Sequence, residues 1–500
     1  MKSTVSGLLG EALDSTIQNL LYGAHLEADF KNAFDAMTKV NQAHVVMLAE
    51  TNILAPHVAK ALAAVLLDLE IAGPSAFPLD PAREETYFNY EAKVINVAGP
   101  DVGGAMHVAR SRNDLKVTIE RMRSRNACLE ILDALAMVRE SALARAEKFA
   151  HVVMPGYTHM QPAQPTTFGS FLLGFAKALE RDHERFADSY KRINLNPLGS
   201  CAFAGTSFPV DRRRTQELLG FDGLLEHNLD AVASRDFVVE LLAASANLAL
   251  TWGRFVQDLY FMSTHEFQTV RFPDRIVGTS SIMPQKRNPT VLEHLRGRSA
   301  RVVGAMQSTM MAIKGTNFSI SVDIVSDALR GYHESLTETK DGLTLLDLVV
   351  STAEPDADRM LELARGNFSS VTDLTDSLVR ETGLSFRDAH HVVGATVRLA
   401  IENNLSADRI TSALIDQGAT RVLGRSLSLP EDIVKRSLDP ISAVASRSGV
   451  GGPAPREVLR MISGARECLD SDRKWVHVRR NQLDDAKEKL SNETSKLAGR

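Results

Sequence analysis

A chain of 500 residues, 44% hydrophobic and 24% charged, has enough apolar surface for a large core and should divide into two to four domains. Its formal net charge of -5, with acids and bases mixed along the sequence, gives no electrostatic case for a nucleic-acid partner or an anionic membrane. The three cysteines, Cys128, Cys201 and Cys468, are odd in number and lack metal-ligand spacing, which argues against a disulfide framework and a zinc site. Lys2 is followed soon by Glu11 and Asp14, so no secretory segment is expected, and the apolar run Leu241 to Trp252 is too short to span a bilayer. A reduced cytoplasm fits this composition.

The N-terminal region, 1–113, reads as short helices such as Ala43 to Leu69, interrupted by Pro56 and ending before Gly73-Pro74. From Leu115 to Met154 there is no glycine or proline, and Leu135, Val138, Ala142, Ala146 and Phe149 recur every three or four residues. A continuous helix there would be roughly 60 Å long. A second pattern runs from Leu224 to Phe272, broken only by Gly253, with Phe237, Leu241, Leu248, Trp252, Phe255 and Leu259 on one stripe. Its flanks are apolar too, so it needs several neighbours, which predicts a multi-helix bundle extending across subunits. Thr290 to Lys314 and Ile324 to Arg365 continue the helical character of this central domain, 114–365. After Gly366 the elements shorten around Gly383, Gly418 and Gly424, giving a third helical domain, 366–500, whose charged tail from Glu467 reads as an exposed helix with a frayed end. No stretch shows the alternation of a substantial sheet, so the fold class is all-α.

Four polar clusters stand near the ends of these helices. Arg110-Ser111-Arg112-Asn113-Asp114 would make a carboxylate site at a helix N-terminus, although Ser111 or Asp114 could equally be the cap. Gly156 to Pro162 carries His159, an acid–base candidate or a solvated loop histidine. Asn196 to Gly199 with Gly205 to Pro209 reads by itself only as loop. Gly278 to Asn288, GTSSIMPQKRN, joins adjacent serines, a cation and an amide in a run that suits either a mobile anion-binding loop or a plain turn.

Together these clusters closely resemble the fumarase/aspartase superfamily and, within it, the argininosuccinate lyase branch. The motifs are HVARSRND from His107, GYTHMQPAQP from Gly156, AGTSFPVDR from Ala204, LDAVASRDF from Leu229, GTSSIMPQKRNP from Gly278 and GLSFRDAHHVVG from Gly383. The resemblance covers almost the whole chain. It implies three helical domains whose long central helices form a 20-helix core in a homotetramer, with each active site drawn from three subunits. It also implies elimination beside a carboxylate, releasing fumarate. By motif position Ser280 matches the base, Lys286 and Asn288 match stabilisers of the carboxylate and carbanion, and His159 and Glu293 match a catalytic pair. Ser111, Arg112, Asn113, Thr158, Gln164, Ser281, Met283 and Ile320 fall at substrate-binding positions.

Removing a proton beside a carboxylate concentrates negative charge on it, so preorganised donors such as Lys286 and Asn288 are required. A serine base needs its alkoxide stabilised, by backbone N–H groups or by Lys286. No metal, nucleotide or organic cofactor is expected, because no ligand cluster or phosphate-cradling glycine motif occurs.

Departures from the branch gather where it holds its leaving group. Ile320-Ser321 stands where a Tyr-Asn pair is usual, Val325-Ser326-Asp327-Ala328 where Gln-Glu-Asp-Lys is usual, Ala105 at a common lysine and Tyr87 at a histidine. The expected substrate is therefore an N-substituted aspartate other than argininosuccinate, and resemblance to lyases of aminopolycarboxylates implies, more narrowly, reversible cleavage of a compound such as ethylenediamine-N,N'-disuccinate. Argininosuccinate lyase is the alternative enzyme, and a catalytically silent helical oligomer is the alternative of another class.

Overall fold

Helices carry most of the chain in the computed structural model, which describes residues 11–500; Lys2 lies outside them. Helices α1 (Leu26–Glu50), α2 (Pro56–Ala72) and α3 (Thr86–Ala98) build the N-terminal region. Pro56 sits in the first turn of α2, where its missing N–H breaks no hydrogen bond, so it opens a helix rather than interrupting one. No helix among the described residues is long and apolar enough to cross a membrane.

The centre is a bundle of five helices: α4 (Arg112–Lys148), α5 (Phe168–Ile193), α6 (Asp236–Met262), α7 (Thr290–Lys314) and α8 (Arg330–Thr352). Its core holds Trp252, whose indole N–H donates to the Leu295 carbonyl at 3.2 Å, and a stacked Phe175–Phe255 pair at 3.7 Å. Gly253 does not break α6. A Cβ there would stand 2.8 Å from Ser299 Oγ, so the glycine lets α6 and α7 approach closely.

Two helices are shorter than their apolar patterns. The pattern to Met154 leaves the helix after Lys148 and reverses through an antiparallel hairpin, β1 (Val153–Thr158) and β2 (Gln161–Thr167). Gly169 permits that reversal, since a Cβ there would lie 2.4 Å from the Ala146 carbonyl oxygen. Of the Leu224–Phe272 pattern only Asp236–Met262 is one long helix; its ends form a short helix (Asn228–Ala233), short strands and turns instead. Sheet is confined to three two-stranded ribbons among the described residues. Helix α7 buries only Leu292, Leu295, Val302 and Thr309 of its 25 residues and leaves Met310 and Met311 exposed.

Helices α9 (Val371–Thr382), α10 (Phe386–Glu402), α11 (Ser412–Leu423) and α12 (Glu431–Leu438) close a separate core around Leu374, Leu378, Val392, Ile415 and Val434. The tail differs from the expected exposed, frayed helix. Helix α13 (Pro455–Ala498) runs back along α4, α5 and the N-terminal helices, burying Val458, Ile462, Leu469 and Val476 in the bundle core and Leu490 against the N-terminal core. Three arginines on α13 meet three acids on α4 in antiparallel register: Arg466 with Glu147 at 2.6 Å, Arg473 with Glu140 at 2.6 Å and Arg480 with Asp133. Successive pairs step by seven residues along both helices, two turns each, so one face of each helix supplies the whole ladder. We propose division of the chain at 1–113, 114–365 and 366–500, with α13 strapping the third unit across the other two.

Candidate active site

The segment from Gly278 to Asn288 leaves the bundle as a loop tied at its base. Gly278 N–H donates to the Asn288 carbonyl at 2.7 Å and Asn288 N–H to the Gly278 carbonyl at 2.9 Å. A Cβ on Gly278 would stand 2.5 Å from Thr290 Cγ2, which is why glycine holds that position. Within the loop, Ser280 Oγ accepts the backbone N–H of Met283 at 3.1 Å and of Ile282 at 3.4 Å. Two N–H dipoles aimed at one hydroxyl oxygen lower the cost of forming its alkoxide. Asn288 Nδ2 donates to the Thr279 carbonyl at 3.1 Å, while Arg287 anchors on the Phe272 carbonyl and Asp274. Ser281, Met283 and Lys286 are exposed beside them. Glu293, in the first turn of α7, accepts the Tyr260 hydroxyl from α6 at 3.1 Å, a partner the sequence did not mark.

His159 and Met160 form the tip of the hairpin, with φ of 54° and 57°, between the paired residues Thr158 and Gln161. Consecutive left-handed residues make the two-residue turn whose twist suits a hairpin, and their strain is held by the strands below. The turn leaves Thr158 and His159 exposed, with Gln164 exposed on β2.

At the start of α4 the local capping role is real. Ser111 is the N-cap, Asp114 returns a hydrogen bond to its N–H, and Ser111 Oγ accepts Asn113 N–H at 3.3 Å. Asp114 also accepts Gly199 and Cys201 N–H, each at 2.9 Å, which ties the third polar cluster to this helix end. Burial outweighs those donors and pushes its carboxyl up to about 6. Asn113 Nδ2 donates to the Ala202 carbonyl at 3.2 Å, and Arg112 faces Glu84 at 3.5 Å and Glu85 at 3.7 Å. Tyr87 is buried behind them, its hydroxyl 2.7 Å from His107 Nδ1 and accepting from Arg110 at 3.1 Å. It braces the approach to Ser111 instead of facing a ligand space. Burial, with Arg110 and Arg112 nearby, holds His107 down at about 4 and so neutral near pH 7.

One chain does not bring these groups together. Ser111 to Asn113 and the hairpin lie at opposite ends of α4, about 54 Å apart at 1.5 Å per residue. Among the described residues no hydrogen bond or ion pair joins the loop, the hairpin and the start of α4, and Glu293 bonds Tyr260 rather than His159. Nor do three or more His, Cys, Asp or Glu side chains among those residues gather to hold a metal ion.

Beside the start of α4 a cleft of about 1070 Å³ opens along the helix. Lys116, Glu120 and Arg123 follow Asn113 by three, seven and ten residues, on one helix face, and line it opposite the segment joining α7 to α8. Of the positions that depart from the branch, Val325 and Ser326 line this cleft. Ile320 is half-buried away from it, and Ala328 is buried with its carbonyl accepting Thr309 Oγ1 at 3.0 Å. Glu120 and His333 were not singled out by sequence, yet they form an ion pair here at 2.9 Å. Burial alone would raise the Glu120 carboxyl; His333, Arg123 and Arg235 together hold it at about 2.

The helical bundle thus presents a serine under backbone donors, a lysine and an amide on one tied loop. The chain belongs to the family described as Lyase, whose model matches residues 15–304, and residues 368–445 match the model described as Argininosuccinate lyase C-terminal. It is 36% identical over 470 residues to argininosuccinate lyase 1 of Shouchella clausii, covering 94% of each chain. It is 37% identical over 487 residues to argininosuccinate lyase of Methanosarcina barkeri, covering 97% of this chain and 96% of the relative. The crystal structure of EDDS lyase in complex with formate superposes with a TM-score of 0.88 at 32% identity, covering 98% and 97% of the two chains. The protein is thus an enzyme, a fumarate-releasing carbon–nitrogen lyase.

Proposed function

We propose that this enzyme cleaves an N-substituted aspartate, an aminopolycarboxylate such as ethylenediamine-N,N'-disuccinate, reversibly into fumarate and an amine. The observation that carries the reading is Ser280 Oγ beneath two backbone N–H groups, on the loop that also presents Lys286 and Asn288. As an alkoxide, Ser280 removes the proton from the carbon next to the carboxylate remote from nitrogen. The electron pair passes onto that carboxylate, where Lys286 and Asn288 meet the charge, then returns as the carbon–nitrogen bond breaks and nitrogen keeps the bonding pair. Ser111, Arg112, Asn113, Thr158 and Gln164 hold the succinyl part, with Ser281 and Met283 closing over it. Glu293, which accepts from Tyr260 within one chain, would orient His159 of a neighbouring subunit, and that histidine moves the proton to the departing amine.

The 54 Å span of α4 supports a homotetramer in which three subunits supply each site, since a substrate of this size cannot touch both ends of one helix. Four subunits of five bundle helices would make a 20-helix core, and α7, which buries few of its residues in one chain, has surface left to enter it. The reading takes no cofactor and sets the enzyme in the cytoplasm.

Argininosuccinate lyase is the second reading, favoured by the curated relatives. Against it, Val325 and Ser326 line the cleft where the branch carries larger polar groups. Fumarate release, followed by ultraviolet absorbance with each compound in turn, separates the two. Fast turnover of argininosuccinate with none of the disuccinate would sink the preferred reading.

A further inference from the structure

Asp114 is fully buried, and its two carboxylate oxygens serve two different segments. Oδ1 accepts the Ser111 and Leu115 N–H groups, each at 3.1 Å, and closes the first turn of α4. Oδ2 accepts only from a loop 85 residues or more along the chain, at Gly199 and Cys201. That loop, 196–205, is fixed from its other side as well. Arg212, opening the short helix Arg212–Leu218, donates to the Leu198 carbonyl at 3.1 Å, and Asn196 Oδ1 accepts Leu198 N–H at 3.1 Å. Gly199, with φ of 91°, sits where a Cβ would stand 2.6 Å from Arg212 Cγ. Cys201 takes a left-handed φ of 56°, a strained conformation for a residue with a side chain, while Asp114 holds its N–H.

The next residue, Ala202, is exposed and turns its carbonyl to Asn113 Nδ2 at 3.2 Å. A carbonyl oxygen can face only the NH2 end of an amide, so Ala202 decides which way round the Asn113 side chain stands. One Nδ2 hydrogen is taken there, and the side-chain amide makes no other hydrogen bond among the described residues. The second hydrogen is left for a substrate carboxylate. Turned over, the same amide would aim Oδ1 at that carboxylate, and two acceptors repel.

Resting on the reading that Asn113 holds the succinyl part, we infer that Asp114 is a positioning residue for this reaction: through Gly199 and Cys201 it sets the Ala202 carbonyl, and through that carbonyl the end of the Asn113 amide that meets fumarate. It touches no substrate itself.

The test measures fumarate binding to the full-length enzyme by titration calorimetry. Asp114→Ala removes both oxygens and should weaken fumarate binding about tenfold or more. In addition of N-(2-aminoethyl)aspartate to fumarate, KM for fumarate should rise by the same factor while KM for the amine stays. Asn113→Ala should lose at least as much affinity, and Asp114→Ala added to Asn113→Ala should lose nothing further, because the effect passes through that amide. Unchanged fumarate binding in folded Asp114→Ala overturns the inference. So does a loss that adds to that of Asn113→Ala, or a KM for the amine that rises alongside, since either makes Asp114 a structural residue only; the reading of Asn113 then stands. Should Asp114→Ala fail to fold, Gly199→Ala decides by the same measurements, since it displaces the loop against Arg212 and leaves Asp114 in place. Fumarate binding unchanged by Asn113→Ala removes the reading of Asn113 and this inference together.

Discussion

The loop from Gly278 to Asn288 and the cleft along α4 differ in how much of each a single chain completes. The loop arrives with Ser280 under its donors, but Lys286 points into solvent and the groups proposed to complete its site sit at the ends of other long helices. The cleft has its walls and its ion pairs in place within one subunit. The chemistry proposed for the loop would depend on assembly, whereas the ion pairs of the cleft are complete in one chain.

The loop side breaks hardest. Ser280→Ala should lower elimination by about three orders of magnitude, about 4 kcal/mol of barrier, with oligomer mass by light scattering unchanged. Residual activity within about tenfold of wild type would remove Ser280 from the role of base. Because the proposed sites are shared, mixing inactive Ser280→Ala with inactive Asn113→Ala and refolding the two together should restore measurable fumarate release. Mixed assemblies that stay inactive would mean that each site is complete in one chain. Lys286→Met should cost about a hundredfold in kcat; a raised KM at unchanged kcat would make Lys286 a uniform binder instead.

The cleft side shows smaller effects, read as stability. Glu120 has a folded value of about 2 against an ordinary 4.5, so its stabilisation is present above pH 4.5 and lost as pH falls from 4.5 towards 2. The shift corresponds to about 3 kcal/mol at most. Glu120→Gln should flatten that acid limb in urea-midpoint measurements across this range; an unchanged slope would show that Glu120 is not held down by its partners. Smallest is the ladder between α4 and α13. Arg473→Ala should lower stability by less than about 1 kcal/mol, and the difference from wild type should vanish in high salt because the pair is exposed.

Part of this was legible in sequence because it is local. The α7 pattern from Thr290 to Lys314 matches its helix end for end, the loop could be read from its residue types, and Ser111 and Asp114 announced a helix start. Other boundaries followed packing. The end of α4 at Lys148 carries no glycine or proline, and it is set by the hairpin and the tight seat of Gly169. The charged tail read as solvated because arginines every seven residues look like a wet face; they face acids on α4 with the same period, while Val458 to Val476 enter the core between them.

By itself the sequence determined the helical class and the motif residues, because helix periodicity and loop chemistry are properties of neighbouring residues. Only the tertiary structure decided where those residues stand. It set Tyr87 behind α4 and Ala328 against α7, away from the cleft, and it paired Glu120 with His333 from helices more than 200 residues apart. Such pairings depend on which helix faces pack together, and no local pattern records that choice.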